Sequence, residues 1–187
     1  MSEKPRIEPL ANEEWAPDVA PILEVVPEGS DLPLGAHNVF RTFAANPELF
    51  RAWLPLGAHL LSGGALPARD RELIILRVAV RCRSSYEWGQ HVRLSLGLGI
   101  EREAIDRVLE GPDAEGWNAH ESSLLRAVDE LHDDSVISDG TWETLAETYE
   151  QSQMMEATML AGQYHLVAFA LNSFGVQLDE GLESLPD

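Results

Sequence analysis

The chain has 187 residues, 44% of them hydrophobic and 24% charged, a length and balance that suit one globular domain with a substantial core. Thirteen basic residues against 32 acidic ones leave a net charge of −19, a surface that repels phosphate backbones and anionic lipid, so neither nucleic-acid nor membrane binding is expected. The single cysteine, Cys82, excludes an intrachain disulfide framework, a two-thiol redox cycle within one chain and a zinc site built from cysteines.

No run approaches the roughly 18 consecutive apolar residues of a membrane helix. The opening "MSEKPRIEPLANEEW" has no apolar core behind its charges, so no secretory leader is expected there and the cytoplasm is the expected location. Residues 1–35 are rich in proline and acids and read as an extended arm with one short helix, of a kind often ordered by packing on a neighbour.

From Ala36 onward the pattern is helical. "HNVFRTFAAN" stops at Asn46, and Pro47 suits the first turn of the next helix, "PELFRAWLPLGAHLL", which Pro55 should kink or shorten. "SGGAL" reads as a loop. Pro67 opens "PARDRELIILRVAVRC", where Leu73 to Val80 is apolar on every side except Arg77. Periodicity does not separate a buried strand from a helix here. Helix is the reading, because the pattern runs back through Arg69, Asp70 and Glu72 and no second strand is available for pairing.

Ser84 or Ser85 caps the next helix, "YEWGQHVRLSLGLG", which stops at Gly97 to Gly99. "EREAIDRVLEG" is a short amphipathic helix and "GPDAEGW" a loop. "NAHESSLLRAVDELHDD" carries a stripe of Leu124, Leu125, Val128 and Leu131, "SDGTWETLAETY" starts from a Ser138 or Asp139 cap, and the last helix runs through "QYHLVAFALNSFG" to Gly175. The expectation is an all-α single domain of about eight helices over residues 36–175, with an acidic tail at 176–187.

The chemistry concentrates after the bend near Cys82. The flanking helices are joined by two or three residues and must pack antiparallel. Glu87 and His91, one turn apart, project from one face, with Tyr86 beside it. One reading is a plain i,i+4 pair near a helix N-terminus. The other makes His91 a general acid or base whose tautomer Glu87 fixes. Counting rise from the bend puts Glu72 level with residues 93–97, from where it reaches His91 only obliquely. A metal site needs a third ligand that spacing does not supply; His165 is a remote candidate and no metal is expected. His37, His59, His120 and His132 read as surface or packing residues. Tyr164 and His165, in an apolar helix with Gln163 and Asn172, read as structural hydrogen bonding more than as pocket lining. There is no phosphate loop or nucleophile elbow.

From Glu72 to His91 the sequence resembles the carboxymuconolactone decarboxylase and alkylhydroperoxidase-like superfamily. Its redox branch carries Glu, eleven residues, Cys, one residue, His, Cys, three residues, His. The same register here is Glu72, Ser84, Tyr86, Glu87, His91. Both cysteine positions hold other residues, and Cys82 stands two places early. The flanking "RELIILRVAV" and "GIEREAIDRVL" also resemble the family, and the likeness runs from about residue 36 to 175.

The resemblance implies an all-α protein that assembles as a trimer or hexamer. With both thiols missing, it points to the non-redox, decarboxylase-like branch. That implies a cofactor-free acid–base enzyme, of the lyase type met in aromatic catabolism, acting on a small carboxylate- or lactone-bearing metabolite. His91 is the expected proton donor, Glu87 its orienting partner, and Tyr86 and Glu72 assist by hydrogen bonding. Arg71, Arg77 and Arg93 are candidates for an anionic substrate. The alternatives are an alkylhydroperoxidase-like peroxidase using Cys82, disfavoured by the missing cysteines, and a non-catalytic ligand-binding or assembly protein.

Overall fold

The ambiguous stretch Leu73 to Val80 is helical. In a computed structural model, which describes residues 4–27 and 32–186, it lies within a helix over Ala68–Arg81. Leu73, Ile74, Ile75, Leu76, Val78 and Ala79 are all buried, on every side of that helix. A helix apolar all round has to sit in the middle of a bundle. Its one basic interruption, Arg77, is buried as well and fully engaged. It forms two 2.7 Å bonds to the Asp129 carboxylate and donates to the Val108 carbonyl at 2.9 Å.

Among the described residues the secondary structure is helical throughout. The elements are α1 (Ala20–Leu23), α2 (Asn38–Phe43), α3 (Pro47–Ala58), α4 (Ala68–Arg81), α5 (Ser85–Gly97), α6 (Arg102–Glu110), α7 (Ala119–Asp134), α8 (Asp139–Ala146) and α9 (Gln151–Phe174). Short helical turns cover Asn12–Glu14, Leu34–Ala36 and His59–Gly63. Around α4 pack α5, α6, α7 and α9.

Local chemistry accounts for the boundaries. The Asn46 side chain accepts from the Leu49 amide, with Pro47 in the first turn of α3. Asn118 and Glu121 form a reciprocal capping box at the start of α7. Gly175, at φ +68°, ends α9 in the left-handed conformation that costs glycine least. Pro55 neither stops nor shortens α3. The helix continues to Ala58 and widens into a π-helical turn over His59–Gly63, so the loop starts later than "SGGAL" suggests. Widening is one way a helix absorbs a donor missing from its ladder.

The N-terminal arm packs on its own chain. Val19 and Leu23 join Ala44 and Phe50 in a small core, with Trp15, Ile22 and Leu34 at its edge. The Arg6 and Ile7 amides donate to the Phe174 carbonyl. The C-terminal segment lies along α5: a Cβ on Gly89 would come 2.5 Å from the Glu183 carbonyl oxygen, so only glycine permits that approach.

Candidate active site

The bend between α4 and α5 is a tight helix-ending motif. The Ser84 amide bonds the Ala79 carbonyl at 2.8 Å and the Arg83 amide the Val80 carbonyl at 3.1 Å, with Arg83 left-handed at φ +51°. Ser84 then serves directly as the N-cap of α5. A turn this short fixes the register of the two helices.

Within that register His91 meets Glu72. Its Nδ1 lies 2.7 Å from Glu72 Oε2, and both side chains are buried. The expectation that Glu72 reaches His91 only obliquely does not hold. The axial offset is about 5 Å, three and a half residues of rise, which the two side chains span together. Arg71 Nε donates to the other Glu72 oxygen at 3.1 Å. Burial alone would push the Glu72 carboxyl up. The charge and hydrogen bond of His91, then those of Arg71, outweigh it and hold Glu72 below the usual carboxylate range. An ionised carboxylate only accepts, so His91 Nδ1 carries the proton and Nε2 is the nitrogen left for chemistry.

Glu87 behaves differently from the expectation. It is 2% exposed, and neither carboxyl oxygen has a hydrogen-bond partner, so Glu72, not Glu87, holds the imidazole. Burial without a partner pushes the Glu87 carboxyl well above its ordinary range. Tyr164 packs edge-on against His91, ring centroids 5.0 Å apart. Its hydroxyl is pushed up by burial first and then by the Glu72 carboxylate.

Tyr86 sits elsewhere. Its hydroxyl donates to Asp179 Oδ2 at 2.7 Å and accepts from the Val39 amide at 3.2 Å and Gln90 Nε2 at 3.1 Å. Asp179 also accepts from His37 Nδ1 and the Asn38 amide, so this group ties the C-terminal segment to α2 and α5. Of the three arginines named for an anionic substrate, only Arg71 touches the Glu72–His91 pair. Arg77 is consumed by Asp129, and Arg93 donates to Gln90. Two cavities lie away from this cluster. One of about 10 Å³ is enclosed by Ile74, Leu124 and Ala161; one of about 440 Å³ is an open groove beside Leu131 and Trp142.

Two clusters escaped the sequence. Cys82, His132 and His165 converge, each offering one ligating atom within 4.8 Å of the others. Asp70 accepts from Tyr149 at 2.7 Å and from His120 Nε2 at 2.9 Å, while His120 Nδ1 lies 2.8 Å from the Thr148 hydroxyl. In both, the members come from segments far apart in the chain, and no fixed spacing announces them. The reading of His120 and His132 as unremarkable is revised accordingly. Burial above all raises the Cys82 thiol to about 12, far from the reactive thiolate of a peroxidatic site.

The model of the carboxymuconolactone decarboxylase family matches residues 47–130, which contain Glu72, Glu87 and His91. A comparison with curated proteins gives no match. Among solved structures, the chain is similar to an uncharacterized peroxidase-related protein with an alkylhydroperoxidase AhpD core from Ralstonia eutropha JMP134. Identity is 16%, the TM-score 0.82, and the alignment covers 96% of this chain and 95% of that one. An uncharacterized peroxidase-related protein from Silicibacter sp. TM1040 follows at 15% identity and TM-score 0.78, covering 95% and 94%. The debrominase Bmp8, solved in complex with 2,3,4-tribromopyrrole, aligns at 15% identity and TM-score 0.75 over 96% and 95%. At such identities the likeness speaks for the fold. Residues 47–130 thus match the carboxymuconolactone decarboxylase family, and the chain as a whole shares the fold of the alkylhydroperoxidase AhpD core.

Proposed function

We propose that the protein is a cofactor-free proton-transfer enzyme of the decarboxylase-like branch, acting on a small lactone or carboxylate in which loss of CO2 leaves an enolate. The observation that carries this is the buried 2.7 Å contact between His91 Nδ1 and Glu72. Glu72 positions the imidazole through its Nδ1. When the bond to the departing carboxylate breaks, its electron pair passes into the enolate and CO2 leaves. His91 Nε2 then delivers a proton to the enolate carbon and recovers one from water, so each turnover consumes one proton. The Glu87 carboxyl, pushed up by burial and without a partner in the protein, is suited in its protonated form to donate a hydrogen bond to the developing enolate oxygen. Arg71 supplies the nearest positive charge for an anionic substrate.

Replacing the two motif cysteines by Ser84 and Glu87 removes the attacking and resolving thiols of a peroxidatic cycle, which argues against the peroxidase alternative. Assembly into a trimer or hexamer is supported by exposed Met155, Met159, Leu166 and Phe169 along one side of α9. The test is CO2 release from lactone acids of the carboxymuconolactone class in D2O, following deuterium at the product carbon. Wild-type turnover with deuterium incorporated, reduced at least ~100-fold in His91→Gln and Glu72→Gln, is the expected result. Turnover that survives both changes removes the pair from the mechanism.

The burial of the cluster, with His91 6% and Glu72 0% exposed, favours one other reading, a ligand-binding protein without turnover. A wild-type protein that binds such lactones but releases no CO2 would select it.

A further inference from the structure

The Cys82–His132–His165 cluster shares no residue with the Glu72–His91 pair, and the proton transfer proposed above does not use it. Cys82 closes α4, His132 stands in the last turn of α7, and His165 lies in the middle of α9. Three helices therefore bring a sulfur and two imidazoles together, all half-buried, with ligating atoms no more than 4.8 Å apart.

The histidines are already arranged as ligands. His165 Nδ1 lies 2.8 Å from the Ala161 carbonyl. A carbonyl only accepts, so Nδ1 carries the hydrogen and the lone pair is on Nε2. A metal-binding histidine is commonly oriented by just such a bond from its other nitrogen to a backbone carbonyl. That lone pair points at His132 Nδ1, 2.9 Å away. Two imidazole nitrogens face each other with one proton between them, where a cation could replace it. Arg81 immediately precedes Cys82 in the chain. Arg81 itself is neutralised by Asp129 and Asp133, at 3.1 and 2.6 Å.

Around a tetrahedral Zn²⁺, with bonds of ~2.0 Å to nitrogen and ~2.3 Å to sulfur, ligating atoms stand roughly 3.3 to 3.6 Å apart. The cluster brackets these separations, so adjustments of about an ångström complete it. We infer that Cys82, His132 and His165 form a binding site for a thiophilic transition-metal ion of the zinc class, with a fourth position open to water. On binding, the Cys82 thiol releases its proton to solvent and sulfur coordinates as thiolate. The His132 proton moves from Nδ1 to Nε2, freeing Nδ1, while His165 keeps its bond to Ala161. The mixed thiolate and imidazole set suits Zn²⁺, whereas hard ions such as Mg²⁺ prefer oxygen.

The experiment uses the full chain, tag removed and stripped with chelator, titrated with Co²⁺ and then Zn²⁺. One Co²⁺ per chain, with visible bands of tetrahedral cobalt and a sulfur-to-cobalt charge-transfer band that Zn²⁺ abolishes, is expected. Cys82→Ser should lose the charge-transfer band and weaken binding by at least ~100-fold, and His132→Gln and His165→Gln by a similar factor. His91→Gln should bind as the wild type does. Cobalt binding without the sulfur band, no binding at micromolar metal, or affinity unchanged in Cys82→Ser each overturns the assignment. The wild-type spectrum decides it even where a variant fails to fold.

Discussion

Two glutamates converge on the neighbourhood of Tyr164 and His91, one from each helix of the α4–α5 hairpin, and they titrate in opposite directions. Glu72 has His91 on one oxygen and Arg71 on the other, and these partners hold it ionised against the pull of burial. Glu87 is as deeply buried with no partner on either oxygen, and burial pushes its carboxyl well above the ordinary range. Depth is therefore not what sets the charge of a buried carboxyl here; the number of donors is. Two such groups driven apart in pKa beside one imidazole are the arrangement from which acid–base assignments are read.

The comparison breaks most forcefully at Glu72. Glu72→Gln leaves Arg71 and His91 facing a neutral amide in the interior, and removing one partner of a buried pair costs about 3–5 kcal/mol. Urea unfolding should show that loss; a cost below about 1 kcal/mol would mean the pair is not formed.

Glu87 predicts the opposite sign. Because its folded pKa lies above the unfolded value, the native state binds the extra proton between the two. Native stability is undiminished below the unfolded pKa and falls as pH rises above it, by about 1.4 kcal/mol per pH unit, until the folded pKa is passed. Glu87→Gln cannot ionise. Its stability relative to wild type should therefore rise from pH 4 to pH 8, and a pH-independent difference would show that Glu87 titrates normally.

The smallest effect belongs outside the pair. Tyr86→Phe removes three hydrogen bonds, to Asp179, to the Val39 amide of α2 and to Gln90 of α5, at about 1 kcal/mol net for each. It should speed amide exchange at residues 176–186. Exchange unchanged there would mean that Tyr86 does not secure the C-terminal segment.

Much of this was legible in the residues. The all-helical fold followed from periodicity and caps, because Asn46, Asn118 and Gly175 terminate helices by local chemistry. The centrality of α4 followed from its apolar girth. The Glu72 and His91 positions were visible as a motif, but their contact was not, since rise counted along a helix axis ignores how far two side chains reach. The i,i+4 spacing of Glu87 and His91 says which groups are neighbours and nothing of which oxygen is bonded, and both Glu87 oxygens are left without a hydrogen bond. Tyr86 was drawn to the site by adjacency in sequence, whereas Asp179, 93 residues away, claims its hydroxyl. The Cys82, His132 and His165 convergence depends on how α4, α7 and α9 pack, a property of the fold and not of any spacing.

The opposed charge states of Glu72 and Glu87 are the centre of the account. They are read most directly by the side-chain carboxyl ¹³C shifts of the two residues, assigned through Glu72→Gln and Glu87→Gln and followed from pH 4 to 9. Glu72 ionised and Glu87 protonated at pH 7 is the predicted result. Glu87 losing its proton with the exposed glutamates, or Glu72 still protonated at pH 7, would contradict it.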